Sequence, residues 1–197
     1  GGHRMNPNEI MEVLEKRGAV QRGHFRLSSG RHSDLFVQKF RVFEHPRLTQ
    51  RFGDSIAQLF DGEFDAVASP AFGAVVLGFA TALAADVRVV FAEREGGALT
   101  FRRGFELAPR ERVLVVEDVI TTGGSAREMV DLVQSAGASP VGVGALIDRA
   151  SGPIAPRLAA PLKALIKLEA TSWTEQECPL CKSNDPLADP GSRRLDA

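Results

Sequence analysis

Alternating strand and helix patterns in this chain predict an α/β fold, an open, twisted parallel sheet with helices on both faces. Three observations carry that prediction. Short apolar runs recur at 66–68, 88–92, 112–116, 141–147 and 163–168. Helical patterns at 74–85 and 125–137 separate them, as βαβ units require. The run Val113-Leu114-Val115-Val116 shows no polar alternation, which is expected of a strand buried on both faces. Ligands of such sheets bind at the carboxyl ends of the strands.

Residues 7–17 place Ile10, Val13 and Leu14 at helical spacing, and Gly18 ends the helix. Phe25 and Leu27 alternate with polar residues, a Ser/Gly turn follows, and Leu35-Phe36-Val37 reads as a second short strand. Residues 46–60 form an amphipathic helix with Leu48, Phe52, Ile56, Leu59 and Phe60 on one side. Ser69-Pro70-Ala71-Phe72-Gly73 reads as a loop between a strand and an apolar helix. The polar stretch 93–109 predicts a hairpin or a flap. After Thr171 the chain is rich in Pro, Asp and Glu and reads as irregular, anchored by Trp173.

The 197 residues fit one domain with an appended subdomain. Gly1-Gly2-His3-Arg4, ahead of Met5, reads as an expression remnant. The net charge of -1 argues against a nucleic-acid partner or a polybasic membrane anchor. No run of about 18 apolar residues suggests a membrane span. Only Cys178 and Cys181 are present, too few for a disulfide scaffold, so a cytoplasmic location is expected. With no Tyr in the chain, aromatic contact to a ligand falls to Phe or Trp173.

The most informative string is Val113-Leu114-Val115-Val116-Glu117-Asp118-Val119-Ile120-Thr121-Thr122-Gly123-Gly124-Ser125. Two carboxylates end an apolar strand. Burying them without partners is costly, so they should face a cleft with hydroxyls, a cation or water. A sugar diol suits them, because an ionised carboxylate only accepts. The glycines let backbone N–H groups approach an anion, and the helix starting near Ser125 adds its positive end. A Ser or Thr cap suits that start. Together the parts read a ribose bearing a phosphate. The bland alternative is a strand ending in a polar turn and a capped helix, but the full thirteen-residue string is far more specific than a Gly-Gly loop.

This string resembles the phosphoribosyl-pyrophosphate (PRPP) motif of type I phosphoribosyltransferases. The segment 25–37, with Leu27-Ser28-Ser29-Gly30-Arg31 and Ser33, resembles the amino-terminal hood loop of orotate phosphoribosyltransferases. Ile147-Asp148-Arg149 resembles the strand end that holds an orotate-binding arginine in that family. The resemblance runs from about Ile10 to Leu168. It implies the type I fold with a small hood at 5–45, a PRPP-binding core at 46–170 and a tail at 171–197. It also implies transfer of the phosphoribosyl group of PRPP to orotate, with Mg²⁺ held largely by PRPP and water, and a homodimer.

By position, the resemblance puts Glu117 and Asp118 on the ribose hydroxyls and Val119, Ile120, Thr121, Thr122, Gly123, Gly124 and Ser125 around the 5-phosphate. Thr121 and Arg149 address orotate; a guanidinium fork matches its carboxylate. The backbone of Ser28, Ser29 and Gly30, with Leu35 and Phe36, frames the pyrimidine. Phe72 and Gly73 lie where pyrophosphate binds. Arg94 matches a basic position of the catalytic flap.

The sequence also departs from the family. Glu93 stands where an arginine is usual, Gly97 where the catalytic lysine falls, Gly73 where a basic residue is frequent, and Ser28 where a hood lysine is common. Arg94, Arg102 and Arg103 are the cations left to compensate. Competing readings are a purine phosphoribosyltransferase and a non-catalytic, nucleic-acid-binding PRPP sensor. The hood and Arg149 argue against the first, the charge balance against the second. Cys178-Pro179-Leu180-Cys181 has metal-ligand spacing but supplies two of the four ligands zinc usually needs, so no metal ligands are assigned in the tail. His24 and His32 read as polar loop residues, and His45 as structural.

Overall fold

The computed structural model describes residues 3–27 and 29–190. Asn6 and Glu9 form a reciprocal capping box that starts α1 (Pro7–Lys16), and Ile10 and Leu14 are its buried face. β1 (Val20–Arg26) and β2 (His32–Val37) form an antiparallel hairpin. Two helices follow, the short α2 (Phe40–Phe43) and the longer α3 (Pro46–Leu59).

The core sheet is built from β3 (Ala66–Pro70), β4 (Arg88–Glu95), β5 (Ala98–Phe101), β6 (Arg112–Ile120), β7 (Ser139–Asp148) and β8 (Leu162–Lys167). Its order is β5-β4-β3-β6-β7-β8, parallel throughout except for the β4–β5 hairpin. The helices are α4 (Gly73–Ala85), α5 (Gly124–Ser135) and the short α6 (Ala155–Leu158). Strand progression reverses between β3 and β6, so a crevice opens at their carboxyl ends.

The period-two pleat sorts the core into two layers. Val67, Leu114, Val116 and Leu146 pack with Ile10, Leu14, Phe52, Ile56 and Leu77 from α1, α3 and α4. Ala66, Ala68, Val113, Val115 and Ala145 pack with Met129, Val130, Val133 and Leu158 from α5 and α6. The predicted two-faced parallel sheet is therefore present.

Several local expectations need correction. β3 runs on through Ser69 and Pro70, leaving only Ala71 and Phe72 as the turn before α4. β6 continues past Val116 to Ile120, because Val119 and Ile120 pair with Ile147 and Asp148 of β7. Glu117 and Asp118 thus sit on the strand, not after it. In 93–109 the first of the two expected alternatives holds: the stretch carries the turn and second strand of the β4–β5 hairpin. The tail is not simply irregular: β9 (Ser172–Trp173) adds to β2, and α7 (Pro179–Lys182) follows. Beyond α7 the chain returns to β1, where the Ala188 N–H donates to the His24 carbonyl at 2.8 Å.

Candidate active site at the strand ends

The two carboxylates of β6 lie at the switch point, Glu117 7% and Asp118 4% exposed. The Asp118 N–H donates to Glu117 Oε1 at 3.0 Å, and the Val119 N–H donates to Asp118 Oδ1 at 2.6 Å. Lys39 Nζ lies 2.6 Å from Asp118 Oδ2. The cation expected beside the carboxylates is therefore a lysine that no sequence motif singled out. Burial, then the negative charge of Asp118, pushes the Glu117 carboxyl up to about 8.

After β6 the chain turns through Thr121 and Thr122, both exposed, into α5. The N-cap of α5 is Gly123 with φ 78°, and no side chain caps it. This corrects the expected Ser or Thr cap. A Cβ on Gly123 would also press to 3.0 Å from Ile154 and Leu158, so glycine is needed on two grounds. With no side-chain cap, the first-turn N–H groups of α5 remain available to an anion. The Thr122 hydroxyl reaches only the Gly124 N–H, at 3.4 Å.

Across the crevice, β3 leads through Ala71 and Phe72, joined by a cis peptide, into α4. Phe72 is 85% exposed, whereas Gly73 is buried against the carboxylates. A Cβ on Gly73 would collide with Asp118 Oδ2 and sit 2.8 Å from Lys39 Cε.

The third wall is β7. The Arg149 N–H donates to the Ile120 carbonyl at 2.7 Å, which fixes Arg149 beside the end of β6. Its side chain is half-buried; burial lowers its pKa while Asp34 of β2 pulls it back up. The hood hairpin thus shares this end of the sheet. In its turn the Gly30 N–H donates to the Leu27 carbonyl at 2.8 Å, and Ser29 and Gly30 are exposed. Phe36 stacks on Phe25 with ring centroids 5.7 Å apart. Ser28 lies outside the described residues.

The phosphoribosyl transferase domain model matches residues 41–176. An orotate phosphoribosyltransferase of Caldanaerobacter subterraneus is 43% identical over 192 residues, 97% of this chain and 100% of that protein. One from Thermotoga maritima is 44% identical over 187 residues, covering 94% and 99%. The chain belongs to the orotate phosphoribosyltransferase family. The crystal structure of the Aeropyrum pernix orotate phosphoribosyltransferase superposes with a TM-score of 0.69 at 27% identity, over 81% of this chain and 93% of that one. The Mycobacterium tuberculosis enzyme in complex with PRPP gives 0.62 at 27% identity, over 81% and 94%.

Within the orotate phosphoribosyltransferase framework, the departures at Gly73 and Glu93 find local accounts. The steric closure around Gly73 leaves no room for a side chain there, and Lys39 brings a cation to the same spot. The arginines of the β4–β5 hairpin are all paired. Arg94 pairs with Glu128 at 2.9 Å and reaches Ser125 Oγ at 3.5 Å. Arg103 pairs with Glu93 at 2.7 Å, and Arg102 with Glu95 at 3.5 Å. Arg94 alone of the three reaches the first turns of α5, through Ser125 and Glu128.

His24 and His32 are not loop residues. They lie on β1 and β2, 4% and 1% exposed, and face Cys178 and Cys181 of the tail. The sequence assigned no metal ligands to the tail because Cys178 and Cys181 supply only two of four; the fold brings them together with His24 and His32, four potential donors within one chain.

Proposed function

We propose that this chain transfers the 5-phosphoribosyl group of PRPP to orotate, giving orotidine 5′-monophosphate and pyrophosphate in UMP biosynthesis. The observation that carries this reading is the meeting of three strand ends. Glu117 and Asp118 lie on β6, Gly73 follows β3, and Arg149 follows β7, with the hood alongside.

The chemistry follows from the walls. The backbone from Val119 and Ile120 through Thr121, Thr122, Gly123, Gly124 and Ser125 leads the open N–H groups of α5 to the 5-phosphate. Glu117 and Asp118 meet the 2- and 3-hydroxyls, and the Asp118 carboxylate opposes the positive charge that grows on the ribose. Phe72 and Gly73 border the pyrophosphate, with Lys39 adjacent. Arg149 forks the orotate carboxylate, while Thr121, Ser29, Gly30 and Phe36 bound the ring. The ring nitrogen gives up its proton to solvent or to the departing pyrophosphate and bonds to ribose C1 as the C1–O bond breaks and its electron pair leaves on pyrophosphate. Arg94 supports the phosphate loop through Ser125.

The donor set suits Mg²⁺ carried by the substrate. Asp118 is committed to Lys39 and Glu117 is held towards its protonated form, so neither belongs to a dense carboxylate cage, and phosphate oxygens and water suit this ion. When bound, Mg²⁺ screens charge on the leaving pyrophosphate.

A homodimer would cover the apolar side chains exposed along α4, where Val76, Phe79 and Leu83 are 44%, 58% and 58% exposed. Light scattering coupled to gel filtration tests this. Among the described residues no helix is long and apolar enough to cross a membrane. Cys178 and Cys181, not joined in a disulfide, suit the cytoplasm.

The deciding experiment mixes the protein with PRPP, Mg²⁺ and orotate and follows orotate absorbance, with adenine, guanine, hypoxanthine and uracil in parallel by chromatography. Consumption of orotate alone is expected. PRPP binding with no base consumed would move the sensor reading ahead.

A further inference from the structure

Hood and tail meet in a cluster that the transferase chemistry does not use. His24 Nε2 lies 3.0 Å from His32 Nδ1, 3.5 Å from Cys178 Sγ and 3.6 Å from Cys181 Sγ. His32 Nδ1 lies 3.2 Å from Cys181 Sγ. All four donor atoms fall within 4.8 Å of one another. A tetrahedral zinc with its usual bond lengths has edges of about 3.3 Å for N–N and about 3.5 Å for N–S. These four separations lie within about 0.3 Å of those edges.

Protonation points the same way. His24 Nδ1 lies 2.9 Å from the Asp185 carbonyl, which only accepts, so Nδ1 carries the proton. In the neutral ring Nε2 then offers a lone pair to the centre of the cluster. Three groups crowd that lone pair, and one hydrogen bond satisfies only one of them. A cation at the centre satisfies all four donors together. The Asp185 contact is also the outer-shell hydrogen bond that orients a metal-bound imidazole.

We propose that His24 Nε2, His32 Nδ1, Cys178 Sγ and Cys181 Sγ bind one zinc ion in a closed, structural Cys₂His₂ site. Two thiolates and two imidazoles match zinc in softness and number. Four protein donors, three of them buried, leave no open position for catalysis. The ion ties the tail across the hood hairpin. His24 and His32 flank the 27–31 turn, so the site braces the turn; any effect on orotate rests on the function proposed above, whereas metal binding does not.

The test measures zinc by mass spectrometry in protein purified without a metal-affinity step, then re-measures it after exchange against buffered zinc. About one zinc per chain is expected, with loss of thermal stability on chelation. Cobalt substitution of the wild-type chain should give tetrahedral d–d bands and a thiolate charge-transfer band. The Cys178→Ser/Cys181→Ser double variant should lose both metal and spectrum. Zinc below about 0.1 per chain after exchange would overturn the proposal. So would full zinc in the double variant, an octahedral cobalt spectrum, or an intact mass showing a Cys178–Cys181 disulfide. The wild-type metal content and spectrum decide the matter even if the variant misfolds, and neither depends on turnover.

Discussion

Lys39 Nζ sits 2.6 Å from Asp118 Oδ2, so a residue between the hood hairpin and α2 neutralises a carboxylate at the end of the central strand. Breaking a fully buried pair costs about 3–5 kcal/mol. The Lys39 side chain is 31% exposed, so Lys39→Met should destabilise less, by about 1–3 kcal/mol. The larger effect should fall on PRPP, with kcat/KM down roughly 10- to 100-fold. Urea unfolding and steady-state kinetics with PRPP varied check both, and unchanged PRPP kinetics would remove Lys39 from the site.

Glu117 should make stability depend on pH in an unusual direction. Its carboxyl is pushed from an ordinary 4.5 to about 8 in the folded chain, so the folded state holds this proton more tightly than the unfolded state. Its contribution to stability is full at low pH and is lost as pH rises from about 4.5 to about 8. The slope from this group is at most about 1.4 kcal/mol per pH unit. Glu117→Gln removes the titration. Between pH 5.5 and 7.5 its urea midpoint should therefore fall less than that of the wild type. Parallel curves for the two proteins would show that Glu117 does not hold its proton.

Gly73 is closed on two sides, by Asp118 and Lys39. Gly73→Ala would drive its Cβ into Asp118 Oδ2 and against Lys39 Cε. The carboxylate must rotate off its lysine, and a misplacement of this size is expected to lower kcat about 100-fold. Circular dichroism should show the fold retained, because the clash lies at the crevice and not in either core layer. Wild-type turnover by Gly73→Ala would mean that the Asp118 rotamer is immaterial to the reaction.

Arg94 separates from its two neighbours by what it touches. Its guanidinium joins Glu128 and Ser125, at the start of α5, whereas Arg102 and Arg103 pair within the hairpin. Arg94 is half exposed, so its pair with Glu128 contributes little to stability. Its reach to Ser125 beside the proposed phosphate site should nonetheless make Arg94→Ala raise the KM for PRPP by roughly 5- to 10-fold. Exposed pairs contribute little, so Arg102→Ala and Arg103→Ala should stay within about threefold of wild type. Equal losses in all three variants would point to the hairpin acting as a unit.

The sequence made the sheet and its ligand end legible because both depend on local pattern. The apolar run before Glu117 and the Thr-Thr-Gly-Gly turn need no partner to be read. Lys39 was missed because an isolated lysine carries no spacing signal, and its meaning comes from the crossing of the chain onto β6. The α5 cap was misread because Gly123 is set by Ile154 and Leu158, some thirty residues further on. His24 and His32 looked like loop residues until the hairpin register put them on one side. The tail's return then brought two cysteines to that side from about 150 residues away. Short-range pattern reports strands and turns; pairing between distant segments is decided by packing.

Arg149 should discriminate between the two substrates. Its backbone is fixed by Ile120, its side chain is half-buried, and Asp34 of the hood lies on its other side. A guanidinium presents two parallel N–H groups to a carboxylate, which a lysine ammonium does not reproduce. Arg149→Lys keeps the charge and loses the fork, so the KM for orotate should rise roughly 10- to 100-fold. The KM for PRPP should change less than about threefold, because the contacts proposed for phosphate and ribose lie on β6 and α5. Initial rates over a grid of both substrates separate the effects. An equal rise in both constants would mean that Arg149 braces the strand ends and does not read the pyrimidine carboxylate.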